Sequence, residues 1–215
     1  MAFTRRRALV AAVGGLAVLP GCGFITGDEP ARFAAEPATV SDTARSDANY
    51  EERSVSEEVR TREFSAGGES RSVEVTNQLA RYERRVDLGP LGSVRAAVFT
   101  ALTSPAVEVL GETFNPLADL SEREIIDRFD SEYESVSVDD RVGRRDAQVL
   151  GQATTVEKYD GTAEIAGGTV DVYVHVTKLR HMDDFVVVVA VYPQRLSDEE
   201  SNVFRLLSGL QHTGG

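Results

Sequence analysis

Residues 169–179, T-V-D-V-Y-V-H-V-T-K-L, and residues 185–192, F-V-V-V-V-A-V-Y, decide how this chain folds. The first stretch alternates. Val170, Val172, Val174 and Val176 fall on one face; Asp171, Tyr173, His175 and Thr177 fall on the other, with the two-residue period of a strand. The second stretch is apolar on both faces, so it belongs at the centre of a sheet with cover on both sides. Arg180 to Asp184 is short enough to join the two as a hairpin.

Working outward, Pro193 ends the second strand. Ser197-Asp198-Glu199-Glu200 then reads as a capping box, and Val203, Leu206, Leu207 and Leu210 recur at helical spacing, predicting a C-terminal helix on the sheet. Gly214-Gly215 frays the end. Upstream, Ala147 to Tyr159 reads as a strand ended by the Asp160-Gly161 turn signal. Ser121-Glu122-Arg123-Glu124 is another capping box, opening a helix with Ile125, Ile126 and Phe129 on its apolar face and Tyr133 near its end. Val94 to Leu102 is an apolar strand stopped by Thr103-Ser104-Pro105. Val55 to Phe64 and Arg71 to Val86 read as strands around an Ala66-Gly67-Gly68 turn, and Leu88 to Gly92 breaks the pattern. Ser41 to Asn49 reads as a short helix. Hairpin runs of strands with helices between them predict an α+β fold: an antiparallel β-sheet with a few helices packed on it, including the C-terminal one.

The N-terminal stretch has a different character. Arg5, Arg6 and Arg7 precede the uncharged run Ala8 to Leu19, a basic segment followed by a short apolar one. That run is 12 residues long, whereas a spanning helix needs about 20. It ends at Leu19-Pro20-Gly21-Cys22, which holds the single cysteine of the chain. The organisation expected is a signal peptide over 1–21, a tether over 22–37 rich in glycine, proline and acid, and one domain over 38–212. With no cysteine after Cys22, the domain is expected to carry no disulfide and no thiolate metal site.

The formal net charge is −12. Residues 1–21 contain three arginines and no acid, so the remainder has 20 basic and 35 acidic residues, a net of −15. Only Lys158 and Lys178 are lysines. At high salt the screening length shrinks to about 3 Å, so a crowded acidic surface keeps the protein soluble without undue self-repulsion. An ordinary acidic surface domain is the alternative. Either way, nucleic acid is excluded as a partner, because phosphate binding needs a basic patch.

Thr4-Arg5-Arg6-Arg7-Ala8-Leu9 resembles a twin-arginine export signal, carried by Arg5 and Arg6. Leu19-Pro20-Gly21-Cys22 resembles the lipobox of prokaryotic lipoproteins, with Leu19 and Gly21 at matching positions and Pro20 departing from the usual alanine or serine. The resemblance implies lipid attachment to Cys22 and cleavage just before it. Two acyl chains would make a stable anchor. Acidity, scarce lysine and Val107 to Leu117, V-E-V-L-G-E-T-F-N-P-L, together resemble a family of uncharacterised haloarchaeal lipoproteins, which implies a location and no activity. The element order over 115–212 is similar to the PsbP-like fold, whose members are commonly accessory proteins of larger complexes.

Candidate chemistry is sparse. Asp183 and Asp184 beside His181 are a conceivable cation site, but a solvated acidic turn is the simpler account. His212 falls in the tail. Arg84-Arg85 and Arg144-Arg145 are expected to make intramolecular ion pairs. The face of Tyr173, His175 and Thr177 is the one place where polar and aromatic groups line up on a central strand; it lines a ligand cleft between sheet and helix, or is a solvated outer face, or holds a core histidine satisfied by a hydrogen bond. No catalytic residue, metal site or cofactor is expected. The function expected is therefore that of a lipid-anchored, outward-facing binding or accessory module for an envelope protein or small ligand, not an enzyme. The alternatives are a structural envelope lipoprotein and a metal-dependent hydrolase.

Overall fold

The computed structural model describes residues 30–214, apart from 67–68, 88–92, 110–111, 114–116, 118–119, 127–135 and 166–167. One large sheet dominates. Its strands are β1 (Ala31–Ala34), β3 (Glu51–Ala66), β4 (Glu69–Asp87), β5 (Ser93–Pro105), β8 (Val136–Val149), β9 (Gln152–Ile165), β10 (Gly168–His181) and β11 (Asp184–Pro193). The order is β1-β4-β5-β11-β10-β9-β8, with β3 on the other side of β4. Short strands β2 (Thr39–Val40) and β12 (Leu210–Gln211) pair with each other, as do β6 (Glu108–Val109) and β7 (Glu112–Thr113).

Among the described residues, short helices α1 (Asp42–Ala48), α2 (122–126) and α3 (Glu199–Ser208) accompany the sheet. The molecule is therefore mostly β, which overturns the α+β expectation, and the sheet is mixed rather than antiparallel. The parallel pair is β1 with β4, where β1 fills the flank of β4 that β5 does not reach. Ala31 to Ala34 were expected in the tether, and they belong to the sheet instead.

The missing strand content lies at the sheet edges. Strand β8 carries Asp139, Asp140, Arg141, Arg144, Arg145 and Asp146, and most of its residues are exposed. An edge strand wet on both faces has no apolar alternation to read. The turn between β8 and β9 is Leu150-Gly151, both at positive φ (52° and 76°), as a two-residue hairpin of this hand requires. Asp160-Gly161 is not a turn. Gly161 sits inside β9 against a bulge in β8, where an added Cβ would lie 2.1 Å from the Ser137 carbonyl oxygen, and Asp160 accepts a hydrogen bond from the Asp140 N–H at 2.9 Å. Nor does β5 stop at Leu102: Thr103 pairs with Gln78 and Pro105 with Asp184.

Central strand β11 behaves as its composition demands. It lies between β5 and β10, and Val186 to Ala190 are buried on both faces. One face packs Tyr82, Phe99, Val186, Val188 and Tyr192 against α1 and α3, where Val203, Leu206 and Leu207 are buried. Each such side chain contributes about 1.5–3 kcal/mol of burial. The other face packs Val172, Val174, Val176, Val187 and Val189 against Leu117, Ile125 and Ile126.

Two of the three expected helix starts hold. Ser41 caps α1 through Ala44 N–H at 3.4 Å, and Asn49 closes it in the left-handed region. At Ser121 the capping box forms in both directions, Glu124 Oε2 accepting from Ser121 N–H at 2.8 Å and Ser121 Oγ from Glu124 N–H at 3.3 Å. The third does not hold. Helix α3 forms, but its N-cap is Asp198 rather than Ser197 and makes no side-chain bond, and Glu200 is paired with Lys158. Phe129 and Tyr133, and the expected breaks at Gly67-Gly68 and Leu88 to Gly92, lie outside the described residues.

Candidate functional site beneath the C-terminal helix

Strand β10 directs Tyr173 and His175 under α3, so this face is not solvated, and His175 is a core histidine held by a hydrogen bond. His175 is 3% exposed and Thr177 1%. The hairpin register sets Tyr173 opposite Tyr192 and His175 opposite Ala190. His175 stacks on Tyr192, with centroids 5.6 Å apart, and meets Phe204 of α3 edge-on at 6.0 Å. Its Nε2 lies 3.0 Å from the Tyr192 hydroxyl, and its Nδ1 has no hydrogen-bond partner among the described residues. Tyr173 meets Tyr192 edge-on at 5.9 Å. Thr177 turns away to β9, donating to Thr155 O at 2.9 Å and lying 3.0 Å from Thr154 Oγ1. Tyr173 and His175 thus converge on Tyr192, while Thr177 does not join them.

Charged side chains ring this aromatic layer. Lys158 lies 3.8 Å over the Tyr173 ring and donates to Glu200 at 2.6 Å. The Arg145 guanidinium sits 4.2 Å over Phe204. Glu199, fully buried, accepts from Tyr50 Oη at 2.7 Å and pairs with Arg84. Arg85, the next residue, approaches Glu83 at 3.9 Å and donates to Ser93. A buried carboxylate needs this kind of complete satisfaction.

Burial sets the protonation states. It holds His175 down to about 4, so the imidazole is neutral near neutral pH. Burial, then the Glu200 charge, pushes the Tyr192 hydroxyl up, while the hydrogen bond from Lys158 holds Glu200 down. The layer therefore presents neutral imidazole and phenol groups flanked by paired charges.

A second constellation lies at the tip of the β10–β11 hairpin. Asp184 is buried, and its Oδ2 lies 2.9 Å from His212 Nε2. His212 Nδ1 lies 2.9 Å from His181 Nδ1. The acidic turn is solvated only at Asp183. His212 is not in a frayed tail: β12 pairs with β2 and brings the histidine back under the hairpin, and Gly214 lies against Met182. No group of three or more histidine, cysteine or acidic side chains is placed to hold a metal ion among the described residues. Nor is any described helix long and apolar enough to cross a membrane. Arg5, Arg6, Leu19, Gly21 and Cys22 lie outside the described residues.

A family described as a domain of unknown function, DUF6517, matches residues 37–211, from the segment just after β1 to the end of β12. The chain belongs to the DUF6517 family. The DUF6517 match takes in both constellations except His212. No curated protein matches the sequence.

Sequence reasoning missed Tyr192, Glu199, Asp184 and His212 as partners. Tyr192 was within reach, since a two-residue turn at Met182-Asp183 sets it opposite Tyr173. Nothing in the sequence pairs Asp184 with His212, because that contact depends on how the tail returns.

Proposed function

We propose that this DUF6517 protein is a lipid-anchored, outward-facing binding or accessory module of the cell envelope, not an enzyme. The observation that carries the reading is Cys22 at the end of a basic and then apolar stretch, nine residues before the first strand of the domain at Ala31. A thioether-linked lipid there would tether the sheet close to the membrane surface through a short acidic segment. The acid excess and scarce lysine support a haloarchaeal setting, in which high salt screens the surface charge.

The polar side chains of the domain support a binding role over a catalytic one. Glu199, Tyr192, His175, Asp184 and His212 are each spent holding one element to another. The similarity of the element order read from residues 115–212 to PsbP-like proteins, commonly accessory proteins of larger complexes, supports an accessory role. A partner protein would meet the flank of the sheet at β3, where Val55 and Val59 are 42% and 55% exposed, by the strand addition that open sheet edges permit. The test is cross-linking in native membranes at high salt, comparing wild type with Val59→Lys. Loss of a reproducible adduct in the variant supports the reading. An unchanged adduct pattern, or none in either protein, counts against it.

A further inference from the structure

We propose that Asp184, His212 and His181 form a proton-operated latch that fastens both ends of the domain to the tip of the β10–β11 hairpin. The inference is independent of lipid anchoring. It rests on the geometry of two ring nitrogens. His181 Nδ1 and His212 Nδ1 are 2.9 Å apart, with ring centroids at 5.1 Å, so the two nitrogens meet nearly head-on. A hydrogen bond between them accommodates one hydrogen and one lone pair.

The other nitrogen of His212 fixes the assignment. Nε2 faces the Asp184 carboxylate at 2.9 Å and so carries a hydrogen. Neutral His212 then offers a lone pair at Nδ1, and His181 donates its Nδ1–H to it. One added proton on the pair still leaves one hydrogen and one lone pair between the two Nδ1 atoms, with Asp184 balancing the charge. A second added proton removes that lone pair. Two N–H groups then point at each other, two imidazoliums adjoin, and the contact breaks.

The surroundings are few and definable. The charges acting on His181 are those of His212, which opposes protonation, and Asp184, which favours it. On the same strand Arg180 turns its Nε toward Met182 O. In the turn, Asp183 is exposed and its carbonyl accepts from Ala106 N–H at 2.7 Å. The entry segment contributes the Glu36 N–H, 3.2 Å from Asp184 Oδ2. Asp184 thus holds Glu36 from the N-terminal side and His212 from the C-terminal side. Opening the latch frees the tail 210–214 and loosens 35–40, which β12 holds through β2.

Burial and the neighbouring His212 hold His181 below its ordinary value of 6.5, so the latch is closed at neutral pH and opens as pH falls below that value. His175, titrating at about 4, stays neutral until lower pH. The experiment is hydrogen exchange read by mass spectrometry on the full chain, between about pH 7.5 and about pH 5, corrected for intrinsic exchange. We expect protection of 210–214 and 35–40 to fall by about ten-fold or more while β11 keeps its protection. In His181→Gln, whose amide can still donate to His212, the loss should vanish. Histidine ring ¹⁵N shifts of the wild type provide a reading that needs no variant: two separated protonation steps, with tail loosening at the second. Tail protection independent of pH, or both rings titrating together with the tail still protected, would overturn the latch.

Discussion

The Tyr50 hydroxyl donates to the buried Glu199 carboxylate at 2.7 Å across 149 residues of sequence. This bond, with the Arg84 ion pair, pins the first turn of α3 to the connection between α1 and β3 and to β4.

Tyr50→Phe removes the donor and leaves Glu199 with Arg84. The expected cost is about 1.5–3 kcal/mol, the range for a hydrogen bond to a charged group. Glu199→Leu should cost more, because Arg84 then loses its partner at a mostly covered site. Urea unfolding at high salt, compared at constant m-value, checks both. Equal stability of all three proteins would mean that the pair contributes nothing.

His175 makes stability pH-dependent in a definite direction. Its folded value is about 4 against 6.5 when unfolded, so between those values the unfolded chain binds more protons. Stability is then fully present above about pH 6.5 and falls as pH drops toward 4, by on the order of 3 kcal/mol. His175→Gln should flatten that part of the curve. A variant curve parallel to wild type across the window would contradict the assignment.

Gly161→Ala would push a methyl group to within 2.1 Å of the Ser137 carbonyl oxygen, so β8 must shift. The expected loss is about 3 kcal/mol, the upper end for overpacking. Gly143→Ala is the control: its nearest neighbour, Lys158 Cβ, is 3.9 Å away. Thermal melts of the pair should separate clearly.

Ser121→Ala removes the Oγ that accepts from Glu124 N–H. A loss of about 1 kcal/mol is expected, as for other N-caps. Ser197→Ala, at the box that does not form, should leave stability unchanged.

The centre of the sheet was legible because its chemistry is extreme. A strand apolar on both faces, as at 185–192, has few places to go but the middle, and the alternation of 169–179 put it alongside. The edges were illegible for the converse reason. With solvent on both faces, β8 shows charge where a core strand shows valine, so the strand expected over 147–159 ran through the Leu150-Gly151 turn and stopped at Asp160-Gly161, inside β9. Ser197 to Glu200 matched the letters of a capping box while Tyr50, Arg84 and Lys158 claimed its glutamates from distant parts of the chain. The candidate face of β10 was correctly placed along the strand, but whether it met water or a helix depended on α3, which local pattern cannot position. His212 needed the pairing of β12 with β2 before it could meet Asp184.

The central claim is the anchor at Cys22, and it is tested most directly by intact mass and detergent-phase partitioning of the native protein against Cys22→Ser. The account predicts that wild type lacks residues 1–21, carries added lipid mass and enters the detergent phase, while Cys22→Ser carries no lipid and stays in the aqueous phase. Two proteins of matching mass, apart from the substitution, and matching partitioning would contradict it.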